Sequence, residues 1–411
     1  MTSQTVPAET SPKLLVALAS FGFFVFGCAL SVPGALLPVI IEHFEISLLS
    51  AGTMMAAAPL GYLLAVAAAG WLSDRYGGKI ILAGGVALAG VGAALFGYVG
   101  SYGLAVVMLG IGGVGGGAVE LVANILLIDA SEGQSGRYLN FGHLFFGVGA
   151  FVCPPLATYA ASQGVSFATV FLLLGGLYGV LAAATMAARF PNRTPSVNPD
   201  ETATDDTGGK VAASPIVLIL SALLGVYVGF ELGIGGWLTK YLTEVHGSSL
   251  VFAGNALSAF WLSIAAGRLV LSIAPLKFRD DQVILVLSGA ATLLALAGIA
   301  AESPWGTAIC FAGVGLGCSG VYPLVIAWGG SLYPSHLGLV TGVLATGGAV
   351  GAVIIPWIMS AAADRYGLRI GMLSHVIAGV VLLSLSSSPN GSRVKVPERN
   401  KKVRAWYTDW Q

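Results

Sequence analysis

Long apolar runs, separated by short polar stretches, extend along most of the 411-residue chain. Each reaches or approaches the roughly 20 residues that a helix needs to cross a ~30 Å hydrocarbon core. The runs do not alternate between apolar and polar positions, as the ~10-residue strands of a membrane barrel do. The pattern therefore predicts an all-α membrane protein with twelve transmembrane helices, here called spans 1 to 12. Their predicted bounds are close to 14–41, 50–72, 79–99, 102–130, 138–161, 166–189, 214–243, 250–273, 282–301, 305–333, 338–361 and 368–386.

The composition also favours a membrane protein. Hydrophobic residues make up 56% of the chain and charged residues 9%, whereas soluble domains carry roughly 25% charged residues. The 58 glycines suit membrane helices, which approach closely through small residues. The four cysteines lie in apolar runs, and we expect them to pack as small apolar side chains without forming disulfides or binding a metal. We expect a small solute and the lipid bilayer as partners, no nucleic acid, and a monomer.

A polar stretch divides the chain into two parts. Residues 191–213 are rich in Pro, Thr, Asp and Gly, which predicts a flexible cytoplasmic linker. An N-terminal six-helix bundle, 1–190, precedes it, and a C-terminal bundle, 214–386, and a basic tail, 387–411, follow it. The basic residues concentrate on one set of loops, so we expect both termini in the cytoplasm and the protein in the cell (inner) membrane.

The two halves resemble each other in sequence. Gly149 to Pro154 in span 5 match Gly351 to Pro356 in span 11, 202 positions later. Three glycines of span 4 are echoed in span 10 at an offset of 205; these are Gly110, Gly112 and Gly115, followed by Gly315, Gly317 and Gly320. The repetition indicates duplication of a six-helix unit and therefore two pseudo-symmetric bundles. Such folds place the solute site between the halves near the midplane.

Span 4 carries an acidic residue inside an apolar run. Gly113, Gly117, Glu120 and Asn124 are spaced so that they share one helical face, and we expect the two glycines to let a neighbouring helix approach closely. A carboxylate at bilayer depth costs several kcal/mol unless it is paired, protonated or hydrated, so Glu120 is a candidate functional residue. It could load and release a proton as a cavity opens to each side, or it could be a structural carboxyl bonded to a neighbouring helix.

Other polar and aromatic residues inside spans extend the candidate site. Glu231 is a second acid within the membrane, and we assign Arg268 of span 8 to snorkelling toward the interface. Aromatic rings suit the flat C–H faces of sugars, whose hydroxyls need carboxylate or amide partners. The predicted substrate-binding residues are Glu120, Asn124, His143, Tyr227, Glu231, Trp261 and Tyr322. Glu120 and Glu231 are the predicted coupling groups for H⁺ or Na⁺, and no other cofactor and no metal is expected.

The loop after span 2, Gly70 to Leu82, reads GWLSDRYGGKIIL. It resembles the signature G-x-L-x-D-R-x-G-x-K-x-x-L of the major facilitator superfamily, except that Gly78 stands where a second basic residue is common. The resemblance implies the major facilitator fold. It also implies a cytoplasmic gate in which a glycine turn holds an acid and a base against helix ends. The implied gate residues are Gly70, Asp74, Arg75, Gly77 and Lys79.

Shorter motifs resemble the fucose:proton symporter family within that superfamily. Val119 to Asn124 contains a similar E-x-x-A-N, and Arg137 to Asn140 opens span 5 with L-N; the further matches are Tyr227 to Glu231, Gly235, Trp237, Trp261, Gly267 and Arg268. The resemblance implies uptake of a sugar coupled to a proton or sodium. One departure is Pro33 to Pro38 in span 1, which lacks the acid that relatives of fucose permease carry there. This weakens the case for proton coupling through two carboxylates of the N half.

The function favoured by the sequence is secondary active transport of a small polar solute, with a sugar as the preferred class. Two alternatives stay open, namely a proton-coupled exporter of drugs or metabolites and a non-transporting sensor on the same fold. Cys153 precedes Pro154 where exporters resemble one another in having glycine, which counts against export. The sequence contains no Walker loop, zinc-ligand set or nucleophile elbow, and we predict that the protein is not an enzyme.

Overall fold

The computed structural model describes residues 11–131, 135–190, 206–273 and 279–387. These residues form helices joined by short turns, and twelve helical segments are long and apolar enough to cross a membrane. The prediction of an all-α protein with twelve spans is therefore confirmed. Spans 1 to 12 are, in order, Pro12–Ala35 with Leu37–Phe44, Leu48–Tyr76, Gly78–Phe96, Tyr102–Asp129, Ser135–Ser162, Phe167–Ala187, Pro215–Val245, Leu250–Ile273, Asp280–Ala300, Pro304–Cys318 with Val321–Leu332, Leu337–Tyr366 and Leu368–Ser386.

Two spans that the sequence predicts as continuous are interrupted. Span 1 breaks at Leu36, and span 10 breaks at Ser319 and Gly320. Pro38 and Pro323 each follow a break by two or three residues, and a proline has no N–H to bond the carbonyl four residues earlier. The backbone therefore leaves the regular helix shortly before each of these prolines.

The end of the linker is also helical, contrary to the prediction of a wholly flexible segment. Asp206–Ala212 forms a short helix that contacts span 11, and Val211 packs against the C-half core. Residues 191–205 and 388–411 lie outside the described residues, so the predictions for the rest of the linker and for the basic tail stay predictions.

The two halves pack their helices in the same way. Span 1 packs on span 5 as span 7 packs on span 11, and spans 2 and 3 pack on span 4 much as spans 8 and 9 pack on span 10. Gly113 contacts Ala58, and Gly315 contacts Phe260, so both members of the second pair lie 202 positions after the first. The offset of 205 inferred for spans 4 and 10 is therefore wrong, because equivalent helix contacts require 202 there as in spans 5 and 11.

The halves meet toward one end of the bundle. We call the end where span 1 begins and span 12 finishes the terminal face, and the other end the opposite face. On the opposite-face side, Gly34 of span 1 packs directly on the Gly235 carbonyl of span 7, and Gly254 packs on Thr158. The Ser258 hydroxyl donates to the Phe151 carbonyl at 2.6 Å. These contacts close the opposite face over the centre of the molecule.

Candidate functional site

Glu120 lies on span 4 where that helix packs closely against span 2. Gly113 and Gly117, on the same helical face, lie against Ala58 and against Ala65 with Tyr62. The close approach predicted from the glycine spacing is thus confirmed, and span 2 is the neighbour. Glu120 is partly buried and interacts with the Tyr62 side chain.

Sequence reasoning missed Tyr62. The available signal was a tyrosine in the interior of an apolar span, three residues after Pro59, because a phenol hydroxyl at that depth needs a polar partner. Glu120 supplies such a partner across the interface between spans 4 and 2.

The second acid, Glu231, is paired within the C half. Its side chain is only 9% exposed, and its Oε1 lies 3.7 Å from Nη2 of Arg268 on span 8. Arg268 therefore does not extend away to the interface, and the snorkelling interpretation is wrong. A buried carboxylate without a partner is strongly unfavourable, and Arg268 on the adjacent helix supplies the opposite charge.

Tyr227 is engaged at the break in span 10. Its hydroxyl donates to the Cys318 carbonyl at 2.8 Å, and the residue is 1% exposed. That carbonyl ends the first helical segment of span 10, where the helix no longer supplies every donor. Tyr227 also interacts with Glu231 and Arg268. Its position supports the acid–base pair and the helix end, while its predicted contact with solute stays a prediction.

Tyr322 connects the two acidic groups. It stands on span 10 one repeat, 202 positions, after Glu120 on span 4. The side chain is 37% exposed and interacts electrostatically with Glu120, Arg268 and Glu231. Polar residues of the N half and the C half therefore lie within electrostatic range of one another, and we call this set the central cluster: Tyr62, Glu120, His143, Tyr227, Glu231, Arg268 and Tyr322.

His143 joins this cluster from span 5. Its ring lies 4.5 Å from that of Phe23, and it is within electrostatic range of Arg268 in the other half. Asn124, one helical turn from Glu120 toward the terminal face, is partly buried. The structure thus brings His143 toward the centre, and Asn124 stands on the terminal-face side of Glu120.

A row of aromatic rings crosses from the N half to the C half. Phe26 lies between Tyr62 and Phe146, with ring centroids 6.2 and 5.7 Å away, and Phe146 meets Trp261 edge to face at 6.4 Å. Trp261 is 4% exposed, and its indole Nε1 has no hydrogen-bond partner among the described residues. Buried donors are normally satisfied, so this N–H, like those of Trp237 and Trp328, is a candidate donor for a bound group.

The predicted gate residues Arg75 and Lys79 make contacts within the N half. Gly77 has φ 87°, which favours glycine and ends span 2 in a tight turn, and the Arg75 guanidinium lies 5.6 Å from the Tyr76 ring centroid. Lys79 Nζ donates to the Met186 and Ala188 carbonyls, each at 2.8 Å. Lys79 therefore holds a helix end, as predicted for the base, but within the N half.

The side-chain surroundings of Gly70 and Asp74 lie outside the described residues, so the gate itself stays a prediction. Among the described residues, no group of three His, Cys, Asp or Glu side chains is placed to hold a metal ion, and all four cysteines are free. The chemistry of the central cluster is that of carboxyl, phenol, guanidinium and imidazole groups, and the indole of Trp261 and other aromatic rings lie beside it.

Known proteins share this architecture. The D-xylose-proton symporter structure superposes with a TM-score of 0.75 at 13% identity, covering 92% of this chain and 98% of that one. The Escherichia coli fucose:proton symporter gives 0.63 at 19% identity, with coverage of 92% and 98%. A nucleoside transporter gives 0.74 at 14% identity, with coverage of 91% and 98%.

Two proteins related in sequence have names that state no transported solute. Protein TsgA of Escherichia coli O157:H7 is 25% identical over 320 residues, which cover 77% of this chain and 79% of that protein. Bypass of stop codon protein 6 of Saccharomyces cerevisiae is 25% identical over 305 residues, covering 68% of this chain and 60% of the yeast protein. Residues 19–289 match the sequence model of the Major Facilitator Superfamily. The chain, with its twelve spans in two equivalent halves, belongs to the Major Facilitator Superfamily.

Proposed function

We propose that the protein is a secondary active transporter that moves a small polar solute, with a sugar as the preferred class, by alternating access. The observation that carries the proposal is the central cluster. Glu120 comes from the N half, Glu231 and Arg268 come from the C half, and Tyr322 interacts with all three. Rocking of the halves would change access to groups held at their common boundary.

The chemistry around the cluster supports a sugar. A carboxylate can accept bonds from hydroxyl groups, the guanidinium of Arg268 can donate them, and the aromatic row ending in Trp261 offers a surface for a C–H face. The Trp261 indole N–H lacks a protein partner among the described residues. Two structures with the same fold are named as D-xylose and fucose symporters, which supports the class of solute without identifying it.

Coupling is proposed to centre on Glu120. Among the described residues, no Lys, Arg or His lies within 4.0 Å ion-pair distance of its carboxylate, whereas Glu231 has Arg268 at 3.7 Å. An unpaired carboxylate at bilayer depth is costly, and binding a proton or Na⁺ removes that cost. Glu120 would therefore take up the coupling ion, while Glu231 keeps its charge balanced by Arg268.

The proposed orientation follows from the basic residues of the sequence. With both termini cytoplasmic in the cell (inner) membrane, the opposite face is extracytoplasmic, and the halves are closed on that side. Contact between the halves on the extracytoplasmic side is what an inward-facing conformation requires. We propose that the protein acts as a monomer in the lipid bilayer.

The direct test uses purified protein in proteoliposomes. Vesicles preloaded with one unlabelled monosaccharide are diluted into the same labelled sugar, and counterflow is measured across a panel of sugars and nucleosides. Gradients of pH and Na⁺ are then imposed separately. Counterflow of a sugar, with accumulation under one gradient, supports the proposal.

Two results would contradict it. Uphill export of a lipophilic cation, with no sugar counterflow, would favour a proton-coupled exporter. The absence of counterflow for every solute, together with full tolerance of Glu120→Gln in a cellular assay, would favour a non-transporting sensor.

A further inference from the structure

The tetrapeptide Asp-Arg-Tyr-Gly occurs twice, at 74–77 and at 364–367. The first ends span 2 at the terminal face, and the second ends span 11 at the opposite face. Both glycines are left-handed, with φ 87° and 88°, and both arginines lie over the following tyrosine ring, at 5.6 and 5.5 Å. The same helix-ending turn is therefore built at both faces of the molecule.

At the opposite face, the aspartate of this turn reaches the other half. The backbone N–H of Leu49 donates to Asp364 Oδ1 at 3.2 Å. Leu49 is the second residue of span 2, whose first amides have no partner within the helix. A carboxylate at this end also interacts favourably with the positive end of the helix dipole. Asp364 thus caps a helix of the N half from the C half.

The cap continues a line of contacts between the same two helices. Trp357 Nε1 donates to Thr53 Oγ1 at 3.2 Å, and Ser360 packs directly against Gly52. Residues 357, 360 and 364 are spaced by three and four positions, so they share one face of span 11. This face of span 11 lies along the first two turns of span 2, where it contacts Leu49, Gly52 and Thr53. Separation of the halves at the opposite face must break all three contacts.

We propose that Asp364 is a latch that holds the opposite face closed and so sets how often the protein opens on that side. This inference rests on the alternating access of the proposed function but not on the identity of the solute. Removing the carboxylate takes away a charged hydrogen bond and a charge–dipole contact. Asp364 is exposed, and a contact of this kind should shift the closed-to-open ratio about two- to five-fold.

Hydrogen–deuterium exchange of the purified protein in lipid nanodiscs tests the latch without solute or gradient. Peptides at Thr158 and Gly254 report the separate contact between spans 5 and 8 at the same face. Asp364→Ala should raise exchange there about two- to five-fold. Asp364→Asn, which keeps an acceptor oxygen but loses the charge, should give a smaller rise. The matched control is Asp281→Asn, which removes an acid at the start of span 9, away from this interface.

Faster exchange confined to the first turn of span 2 would show that Asp364 is only a local helix cap, and this would overturn the proposal. Unchanged exchange in the peptides at Thr158 and Gly254 would also overturn it. If Asp364→Ala does not fold, the Asn variant is combined with Trp357→Phe, which removes the neighbouring N–H donor. The pair should then open the remote contact more than either change alone. Because exchange needs no transported solute, a negative result here is separable from failure of the counterflow assay.

Discussion

Arg268 and Glu231 pair across spans 8 and 7, with 3.7 Å between Nη2 and Oε1. The pair balances two charges deep in the C half, beside Tyr227 and within reach of Tyr322. A buried charge without a partner is strongly unfavourable, and each residue of this pair supplies the opposite charge for the other.

Arg268→Gln should lower the free energy of unfolding by about 3 kcal/mol, because it leaves Glu231 without its partner charge. The double variant Glu231→Gln/Arg268→Gln should recover most of that loss. Arg279→Gln is the control, since it breaks an exposed ion pair with Asp281 and should cost no more than about 1 kcal/mol. Thermal unfolding in detergent measures all three, and equal losses for Arg268→Gln and Arg279→Gln would contradict the prediction.

Glu120→Gln should abolish accumulation driven by a pH gradient while counterflow continues, because the amide keeps the size of the side chain but cannot exchange a proton. With one proton per solute, a gradient of one pH unit sustains about ten-fold accumulation, and the variant should show none. Exposed Glu45, changed to Gln, is the control and should behave as the unaltered protein. Accumulation by the Glu120 variant under a pH gradient would place proton coupling elsewhere.

Trp261→Phe should weaken solute binding about three- to ten-fold, the loss of one hydrogen bond, because it removes the unpartnered indole N–H and keeps an aromatic ring facing Phe146. Trp305→Phe is the matched control, since Trp305 is 68% exposed and lies at the end of a helix, in the first turn of span 10. Equilibrium binding of the solute found by counterflow provides the readout. Unchanged affinity in the Trp261 variant would remove this N–H from the site.

Tyr227→Phe should destabilise the protein by about 1–3 kcal/mol, because the buried Cys318 carbonyl loses its donor. Tyr241→Phe provides a matched comparison, since that hydroxyl donates to the Ile299 carbonyl at 3.1 Å away from the central cluster. Both variants should lower the unfolding temperature to a similar extent. If Tyr227→Phe also lowers solute affinity while Tyr241→Phe does not, Tyr227 has the solute contact predicted for it from the sequence.

Particular residues show how far sequence reasoning reached. The face shared by Gly113, Gly117 and Glu120 followed from helical spacing alone, and the structure confirms its close contact with span 2. The breaks at Leu36 and Ser319 did not follow, because Pro59 and Pro154 stand inside helices that stay unbroken. Whether a proline ends a helix depends on what satisfies the freed carbonyls.

The central cluster shows the same division. Glu120, Glu231 and Tyr322 were identifiable because polar groups inside apolar runs are conspicuous along the chain. Arg268 was misplaced, because its partner stands 37 positions earlier on another helix. The sequence does not distinguish an arginine that extends to the interface from one that pairs with an acid on another helix.

The sequence by itself determined the membrane character, the number of spans and the division into two related halves. Each depends on the length and polarity of contiguous segments, because a helix must be long and apolar enough to cross the hydrocarbon core. Only the tertiary structure decided that Arg268 pairs with Glu231, that Tyr322 lies within electrostatic range of Glu120, and that Asp364 caps span 2. Such pairings depend on which helix faces meet and at what height, and these are properties of the packed bundle.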